Sequence, residues 1–373
     1  MSLPIFTLAC LFAATDVTAC SALAEPPQEK SDANQFARQP QDNPRKQQSW
    51  KKLEVLQRID AVGFLTFVYQ GNTLLTASSG SGFVGSSQAT LWDLSQLGEY
   101  ATIYAGFARR YFYAVSPDGL AVATDKWDYE LDKFKTGLAL WDLTLGEEFS
   151  SVGTLYSPVR SLAFMRDGKT LASGHYDKIV RFWDISADKK TIKLRSTLDT
   201  QKDGVTCLAF TQDGKTLVTG SYDKSITVWD IARSKALATL TGHHERLIGL
   251  EISPDGKTLA SVSGDGGVKI WDLSKLKERF SFQGIRELRA LAFSPDGKSL
   301  AFCVKGKEEG LVLVKLCDPV SGKEVTSLEA TMDQPMALAF RRDGKMLALG
   351  GFGNNPKTPY PIPHGIVTLW KME

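Results

Sequence analysis

Two short elements alternate along most of the chain, and this alternation constrains the fold more than any other feature of the sequence. The first is a turn built around Asp-Gly, with copies at Ser116-Pro117-Asp118-Gly119, Arg166-Asp167-Gly168, Gln212-Asp213-Gly214, Ser253-Pro254-Asp255-Gly256, Ser294-Pro295-Asp296-Gly297 and Arg342-Asp343-Gly344, and a looser copy at Gln70-Gly71-Asn72. The second is an apolar run that ends in Trp92-Asp93, Trp141-Asp142, Trp183-Asp184, Trp229-Asp230 or Trp271-Asp272, with degenerate copies at Cys317-Asp318 and Trp370-Lys371. Seven copies of each element alternate at periods of 41 to 53 residues. A repeat of this length predicts one supersecondary unit per copy, stacked on its neighbours.

Within one unit, the sequence predicts four short antiparallel strands. An apolar run such as Cys207 to Phe210 precedes each Asp-Gly turn, whose glycine supplies the positive φ that a tight hairpin needs. A second run, such as Thr216 to Thr219, follows the turn and leads through a loop to the Trp-Asp strand. A single sheet of this kind cannot bury both of its apolar faces, whereas seven sheets closing radially leave no long open edge. The predicted fold is therefore all-β, a seven-bladed β-propeller of four-stranded antiparallel sheets.

The two ends of the repeat array predict how the ring closes. The seventh copy stops after its third strand, and one extra strand-like segment, Lys52 to Ile59, precedes the first copy. We expect this N-terminal strand to pair with Ile366 to Lys371 in the last blade, with Leu53, Val55 and Leu56 substantially buried or packed at the sheet edge. The predicted blades cover about residues 60–106, 107–155, 156–200, 201–242, 243–284, 285–330, and 331–373 together with 51–59.

From about Trp50 to Glu373, these repeats resemble those of the WD-repeat (WD40) β-propeller family, in an exported member of bacterial type. The resemblance implies a structural tetrad of His, Ser or Thr, Asp and Trp within a blade, in which the aspartate accepts hydrogen bonds from the histidine ring and from turn amides. The fifth copy carries the full tetrad, namely His243, Ser261, Asp265 and Trp271. Partial tetrads are Ser173, Asp177 and Trp183 in the third copy, with Leu155 at the histidine position, and Thr219, Asp223 and Trp229 in the fourth, with Gln201 there.

The segment before the repeats predicts export. The apolar run Leu3 to Ala14 is too short to span a bilayer, and it is followed by Ala22-Leu23-Ala24, a pattern that signal peptidase cleaves. We therefore expect a signal peptide at 1–24 and a periplasmic or extracellular protein. Two alternatives stay open: a lipid anchor at Cys20, because Val17-Thr18-Ala19-Cys20 resembles a lipobox, and a cytoplasmic chain, because Met1 to Pro4 carries no basic residue.

Residues 25–49 have a different composition from the rest of the chain. They hold four prolines and, apart from Phe36, scarcely any large apolar side chain. Such a segment cannot bury enough surface to offset the entropy lost on ordering. We expect a disordered linker there.

Charge and motif content exclude several functions. The chain has 44 Lys and Arg against 42 Asp and Glu, and this balance gives no field for a nucleic-acid backbone. The three cysteines beyond the leader, Cys207, Cys303 and Cys317, have no Cys-x-x-Cys spacing and are interpreted as small buried hydrophobes. Neither His175 nor His364 stands in a known catalytic motif, and the two lie on distant blades. We predict no catalytic residue, no metal or cofactor site and no integral membrane segment.

The spacing between the two repeated elements predicts where binding occurs. Blades three, four and five each have 16 residues from Asp to Trp, as between Asp167 and Trp183, whereas the other blades have 21 to 27. The extra residues fall between the second and third strands of blades six, seven, one and two, which are consecutive in a closed ring. All these loops leave one face, and their aromatic residues are the candidate partner-binding residues: Phe83, Trp127, Tyr129, Phe134, Phe352 and Tyr360. Two alternatives are that these side chains fold inward and that the loop tips are disordered.

Taken together, these patterns favour a non-catalytic scaffold that binds one or more protein partners through loops on one propeller face. The partner is not identified by the sequence. An alternative from another class is a propeller hydrolase or lyase whose active centre lies at the ring mouth, since propellers assemble sites from several blades. A third alternative is a ligand sensor on a lipid tether.

Overall fold

The computed structural model describes residues 50–59, 62–68, 71–78, 87–95, 98–105, 113–128, 135–155, 157–200, 203–282, 290–354 and 363–373. Within these ranges the chain forms seven four-stranded antiparallel sheets and no α-helix. Accordingly, these ranges hold no helix with the length and apolar character needed to cross a membrane. The expected signal peptide and linker lie outside the described residues.

The strands follow one another in chain order, four to a blade. The first is β1 (Trp50–Ile59). Blade one contains β2 (Val62–Val68), β3 (Thr73–Ser78), β4 (Ser87–Asp93) and β5 (Gly98–Ala105), and blade two contains β6 (Tyr113–Val115), β7 (Ala121–Asp128), β8 (Lys135–Asp142) and β9 (Glu148–Leu155). Blade three contains β10 (Val159–Phe164), β11 (Thr170–His175), β12 (Ile179–Ile185) and β13 (Ile192–Asp199), and blade four contains β14 (Val205–Phe210), β15 (Thr216–Ser221), β16 (Ile226–Asp230) and β17 (Lys235–Leu240). Blade five contains β18 (Leu247–Ile252), β19 (Thr258–Ser263), β20 (Val268–Asp272) and β21 (Lys277–Phe282), and blade six contains β22 (Leu291–Phe293), β23 (Leu300–Lys305), β24 (Leu311–Cys317) and β25 (Glu324–Thr331). Blade seven contains β26 (Gln334–Phe340), β27 (Met346–Asn354) and β28 (Pro363–Met372), together with β1.

The seven sheets form a closed ring. We call the strands of each blade A to D in chain order, with β1 as strand D of blade seven. The A strands β6, β10, β14, β18, β22, β26 and β2 contact one another in succession, so they surround the ring axis. The predicted all-β, seven-bladed fold is confirmed.

The N-terminal strand closes this ring. Strand β1 pairs antiparallel with β28, from Trp50 opposite Met372 to Ile59 opposite Gly365, and it begins two residues before the predicted start. Leu53 is not substantially buried: it is 42% exposed, because the pairing register shifts between Lys52 and Glu54 and leaves Leu53 in a bulge at the sheet edge. The Trp50 ring packs against Phe340 instead, with ring centroids 6.3 Å apart. The side chains of Val55 and Leu56 lie outside the described residues.

The core lies between adjacent blades, because each sheet buries its apolar faces against its neighbours. One cluster, for example, joins Val218 and Val228 of blade four to Leu247 and Trp271 of blade five. The cysteines Cys207, Cys303 and Cys317 are buried and unpaired by disulfides, as the sequence predicts. Burial raises the pKa of the Cys207 and Cys317 thiols to about 12, so these side chains act as small apolar groups.

The two faces of the ring are built by different connections. The first residue after strand B donates its main-chain N–H to the residue before strand A, as in Tyr222 N to Gly204 O (3.0 Å) and Gly264 N to Arg246 O (2.9 Å). The B–C and D–A connections therefore share one face, which we call the loop face. The Asp-Gly turns between strands A and B and the C–D connections form the opposite face, which we call the turn face.

Extra length in blades two and seven extends the strands themselves. Strands β7 and β8 pair as far as Asp128 opposite Lys135, and β27 and β28 pair as far as Asn354 opposite Pro363. In blade five, the corresponding pairing ends at Val262 opposite Val268. The repeat spacing predicts the whole surplus in loops, but part of it forms longer B–C hairpins at the loop face. Residues 129–134 and 355–362 lie outside the described part of the chain.

Candidate functional site

A buried Trp–Ser or Trp–Thr pair underlies the loop face in five blades. The tryptophan of strand C donates its indole N–H to a hydroxyl of strand B in Trp92–Thr76 (2.9 Å), Trp141–Thr124 (3.1 Å), Trp183–Ser173 (2.8 Å), Trp229–Thr219 (3.0 Å) and Trp271–Ser261 (2.8 Å). The tetrad pattern in the sequence predicts the last three pairs but not the first two. In blade six the same two positions hold Phe302 and Cys317, both buried, so apolar packing replaces the hydrogen bond there.

Blade five brings together all four residues of the predicted tetrad. His243 Nε2 lies 2.7 Å from Ser261 Oγ, the oxygen that accepts the Trp271 indole N–H. The Asp265 carboxylate accepts the main-chain N–H groups of His244 (2.9 Å) and Gly267 (2.7 Å). The expected bond from the His243 ring to Asp265 is not made: His243 Nδ1 is buried without a hydrogen-bond partner among the described residues. Asp265 therefore orders the turn through main-chain groups.

Blade three satisfies its serine with a histidine that the sequence analysis did not assign to the network. His175, at the end of strand β11, is fully buried, and its Nε2 lies 2.7 Å from Ser173 Oγ. Its Nδ1 lies 3.1 Å from the main-chain oxygen of Ser157. A carbonyl oxygen can only accept, so Nδ1 carries the proton and Nε2 accepts from the Ser173 hydroxyl. The hydrogen bonds thus form a series: Trp183 donates to Ser173, Ser173 donates to His175, and His175 donates to the main-chain oxygen of Ser157.

His175 performs two tasks that blade five divides between His243 and Ser263. Its position in strand B corresponds to Ser221 in blade four and Ser263 in blade five. Ser263 Oγ donates to Glu245 O (2.9 Å), and Ser221 Oγ donates to Asp203 O (3.3 Å). His175 makes the equivalent bond and also reaches Ser173, the contact that His243 makes in blade five. Blade three therefore keeps this network although Leu155 stands at the expected histidine position.

Both buried histidines are neutral at physiological pH. Desolvation lowers the pKa of His175 to about 4, and the nearby Arg181 guanidinium acts in the same direction. Desolvation likewise lowers the pKa of His243 to about 4. Burial opposes ionisation of Asp177, but its pKa is still lowered because Arg181 donates to the carboxylate at 2.6 Å. Asp177 thus holds a salt bridge, and it does not touch the histidine by a hydrogen bond.

Blade four has the hydroxyl and tryptophan of the tetrad and an aspartate that orders the B–C turn. Asp223 Oδ1 accepts from the main-chain N–H of Ser225 (2.9 Å) and from its hydroxyl (2.5 Å). Gln201, expected at the histidine position, lies outside the described residues. The B–C turn of blade four is therefore held by a short local network, and Tyr222 begins that turn.

An aromatic and cationic cluster, two of whose four residues are exposed and two half-buried, lies directly above these networks on the loop face. We call Arg160, Tyr176, Tyr222 and Arg246 the Arg–Tyr cluster. The two tyrosine rings meet edge to face with centroids 5.6 Å apart. The Arg160 guanidinium carbon lies 5.6 Å and 5.7 Å from the Tyr176 and Tyr222 ring centroids, and that of Arg246 lies 5.7 Å from Tyr222. The cluster spans blades three, four and five, and Tyr176 is 53% exposed.

The cluster depends on a close approach at Gly204. A Cβ placed on this glycine would lie 3.0 Å from the Tyr176 main-chain oxygen and 3.3 Å from Tyr222 Cδ2. A larger residue would push these neighbouring atoms away by a few tenths of an ångström, so the glycine leaves room for the two tyrosines to approach this closely. Tyr176 and Tyr222 also follow directly after the anchored residues His175 and Ser221, so their backbone is held from below.

Of the six candidate partner-binding residues from the sequence, one has a described side chain. Phe352 lies in β27, half-buried, opposite Gln334 and Gly365. Trp127 lies in β7, but its side chain is outside the described residues, as are Phe83, Tyr129, Phe134 and Tyr360 altogether. The structure thus does not show these six residues brought together. The sequence analysis missed the Arg–Tyr cluster, for which the available signal was a tyrosine directly after strand B in two consecutive repeats.

Comparison with known families identifies three of the repeats. The family model described as WD domain, G-beta repeat matches residues 149–184, 192–230 and 234–272. These segments include strands B and C of blades three, four and five, where the Trp–Ser or Trp–Thr pairs and the Arg–Tyr cluster lie. A search of curated proteins finds no match. The described residues contain no group of three or more His, Cys, Asp or Glu side chains that could hold a metal ion.

Proposed function

We propose that this seven-bladed propeller with WD40 repeats is a non-catalytic scaffold that binds a protein partner on its loop face. The observation that carries the proposal is the Arg–Tyr cluster, in which the exposed Tyr176 packs against Arg160 and Tyr222, while Arg246 packs on Tyr222. Tyrosine and arginine are enriched among the residues that dominate binding energy at protein interfaces. WD40 propellers are typical protein-interaction scaffolds, and a cluster of this composition on one face agrees with such a role.

The cluster is preorganised, which favours binding. His175 is tied to Ser157 and Ser173 directly before Tyr176, and Ser221 is tied to Asp203 directly before Tyr222. Side chains that are already ordered lose less conformational entropy when a partner docks. The networks beneath the loop face therefore support the surface above them.

The long hairpins of blades two and seven extend the same surface. Both lengthen the B–C connection, so both project from the loop face that carries the Arg–Tyr cluster. Trp127 and Tyr360 remain the candidate anchors on these hairpins. A partner that spans the ring would contact the cluster on one side and the hairpins on the other.

The chemistry of the buried nucleophiles and bases supports a non-catalytic role. His175 and His243 are neutral and buried, and each has a ring nitrogen 2.7 Å from a structural serine hydroxyl. Burial raises the pKa of the Cys207 thiol to about 12, so it is not a thiolate at neutral pH. These groups stabilise the blades and are closed to substrate.

The test compares matched variants in binding to a partner captured by the wild-type chain. The double variant Tyr176→Ala/Tyr222→Ala removes the cluster, and Leu145→Ala, at a residue 70% exposed on the turn face, is the control. We expect the double variant to weaken binding of the partner by roughly 2 kcal/mol or more, because hot-spot aromatics contribute on this scale. Its melting temperature should be unchanged. The single variants Trp127→Ala and Tyr360→Ala should each weaken binding of the partner by roughly 1 to 3 kcal/mol.

The opposite pattern would contradict the proposal. If Leu145→Ala weakens partner binding while the double variant binds the partner as the wild type does, the partner docks on the turn face. If all variants bind equally, neither the cluster nor the hairpins form the interface.

We also propose that the scaffold acts after export. The support is the leader pattern at residues 1–24, with lipidation at Cys20 and a cytoplasmic location as alternatives. Mass spectrometry of the mature chain should find Glu25 as the first residue. A diacylated Cys20 would show a lipid anchor, and an intact Met1 or Ser2 in the cytoplasm would contradict export.

A further inference from the structure

A cavity of about 540 Å³ opens at the ring axis on the turn face, away from the Arg–Tyr cluster. Its wall is formed by the Asp-Gly turns and the ends of A strands from blades two to seven. This volume lies within the range of pockets that hold small organic molecules. The proposed scaffold function makes no use of this cavity.

The wall is largely apolar and preformed. Pro117, Pro254 and Pro295 of three turns contribute to it, and proline fixes its own backbone angle φ. Consecutive turns also pack on one another: a Cβ placed on Gly297 would lie 3.5 Å from Pro254 Cδ. Phe164, at the end of β10, adds an aromatic surface. The cavity is therefore shaped before any ligand enters.

Two guanidinium groups give the cavity its charge. Arg166 donates to the side-chain oxygen of Gln212. Arg342 makes no side-chain hydrogen bond or ion pair with another described residue, whereas its neighbour Arg341 is held by Asp343 at 2.7 Å. Among the described residues that line the cavity, none carries a carboxylate. The cavity thus presents positive charge without a resident counter-charge.

The aspartates of the surrounding turns are occupied by their own turns. Asp167, directly after Arg166, accepts the main-chain N–H groups of Lys169 (2.9 Å) and Thr170 (3.0 Å). Asp213 accepts from the Thr211 hydroxyl at 2.7 Å. Neither of these two carboxylates forms an ion pair with Arg166 or Arg342.

We propose that this cavity binds an organic carboxylate with an apolar body. Arg342 and Arg166 hold the carboxylate, because guanidinium forks match its planar geometry, and the proline and phenylalanine wall covers the apolar part. An uncharged apolar ligand would make no charge-assisted hydrogen bond to the guanidinium groups, and a bare inorganic anion would leave the apolar wall in water. A carboxylate on an apolar body satisfies both features.

Calorimetric titration of the full chain with 3-phenylpropionate at low ionic strength tests the proposal. We expect saturable binding in the wild type, and a Kd raised at least about tenfold in Arg342→Gln and in Arg166→Gln, since each removes a charge-assisted contact. Arg233→Gln is the matched control, because this arginine of the turn face is 77% exposed and lies outside the cavity. The uncharged 3-phenylpropionamide should bind at least about tenfold more weakly than the acid.

Several results would overturn the proposal. These are no saturable heat with 3-phenylpropionate in the millimolar range, equal binding of the amide, and equal effects of Arg233→Gln and Arg342→Gln. Inorganic phosphate that binds as tightly as 3-phenylpropionate would show a site for bare anions and would overturn the carboxylate assignment. Melting curves confirm that the variants fold, and the acid–amide comparison on the wild type does not depend on them.

Discussion

In blades three and five a histidine lies beside the buried serine of strand B, but the two histidines come from different places in the repeat. In both blades a buried serine accepts the indole N–H of the strand-C tryptophan and lies 2.7 Å from a histidine Nε2. In blade five the histidine, His243, comes from the connection before strand A, whereas in blade three His175 comes from strand B itself. The networks therefore converge in space while their sequence spacing differs.

The two histidines differ in how many hydrogen bonds their rings make. His175 has hydrogen-bond partners on both ring nitrogens and lies fully inside the blade. His243 has a partner on one nitrogen, and its Nδ1 is unsatisfied among the described residues. Since an unsatisfied buried polar group reduces the net gain from burial, the substitute in blade three is the better connected of the two.

The largest expected effect is the loss of His175. His175→Ala should lower the free energy of unfolding by about 3 kcal/mol, because it removes two buried hydrogen bonds, one to the Ser157 carbonyl and one from the Ser173 hydroxyl, and opens a cavity. His243→Ala should cost less, about 2 kcal/mol, since one hydrogen bond is lost. Urea denaturation of both variants measures the difference.

His175→Ser sharpens this comparison, because serine occupies the corresponding position in blades four and five. We expect it to cost less than His175→Ala, since the serine hydroxyl can donate to the Ser157 carbonyl as Ser263 donates to Glu245. A larger loss in His243→Ala than in His175→Ala would contradict the assignment of His175 as the better connected residue.

A smaller effect is expected on the pH dependence of stability. The pKa of each histidine falls from 6.5 to about 4 on folding. A lowered pKa in the folded state means that the stabilisation is fully present above pH 6.5 and is lost as the pH falls through 4. The wild type should therefore lose stability between pH 6.5 and 4, by up to roughly 3 kcal/mol for each histidine. His175→Ala should show about half of this histidine-dependent loss.

Glu251 changes the stability in the opposite direction over much of the same pH range. It is half-buried in β18, and burial raises its pKa from 4.5 to about 7, so its contribution is lost as the pH rises through 7. The comparison is therefore made as the difference between wild type and variant at each pH, in which Glu251 cancels. Parallel pH curves for the wild type and His175→Ala would show that His175 is not a buried neutral group.

The fold could be predicted from the sequence because its determinants are local and repeated. Each Asp-Gly turn encodes its own hairpin, as in Thr211 to Thr216, where Asp213 accepts from the Thr211 hydroxyl and the Lys215 N–H and Gly214 has a φ of 67°. Ring closure also followed from one unpaired segment at each end of the array. These features need no knowledge of contacts between distant residues.

The candidate site could be predicted less well, because it depends on contacts between blades. His175 does not stand at the family's histidine position, and only the alignment of strand B with Ser221 and Ser263 shows what it replaces. The meeting of Tyr176 and Tyr222 depends on the distance between two B–C turns, where Gly204 leaves room for the close approach. A repeat consensus describes one blade, so it carries no information about such distances.

Hydrogen exchange with and without the captured partner tests the central claim most directly, namely that the loop face is the binding surface. The amides of the B–C connections at 176–178 and 222–225 report on the Arg–Tyr cluster, and those of the C–D connections at 143–147 and 186–191 report on the turn face. The account predicts slower exchange at the first two segments when the partner is bound and unchanged exchange at the other two. Protection confined to the turn-face segments would contradict it.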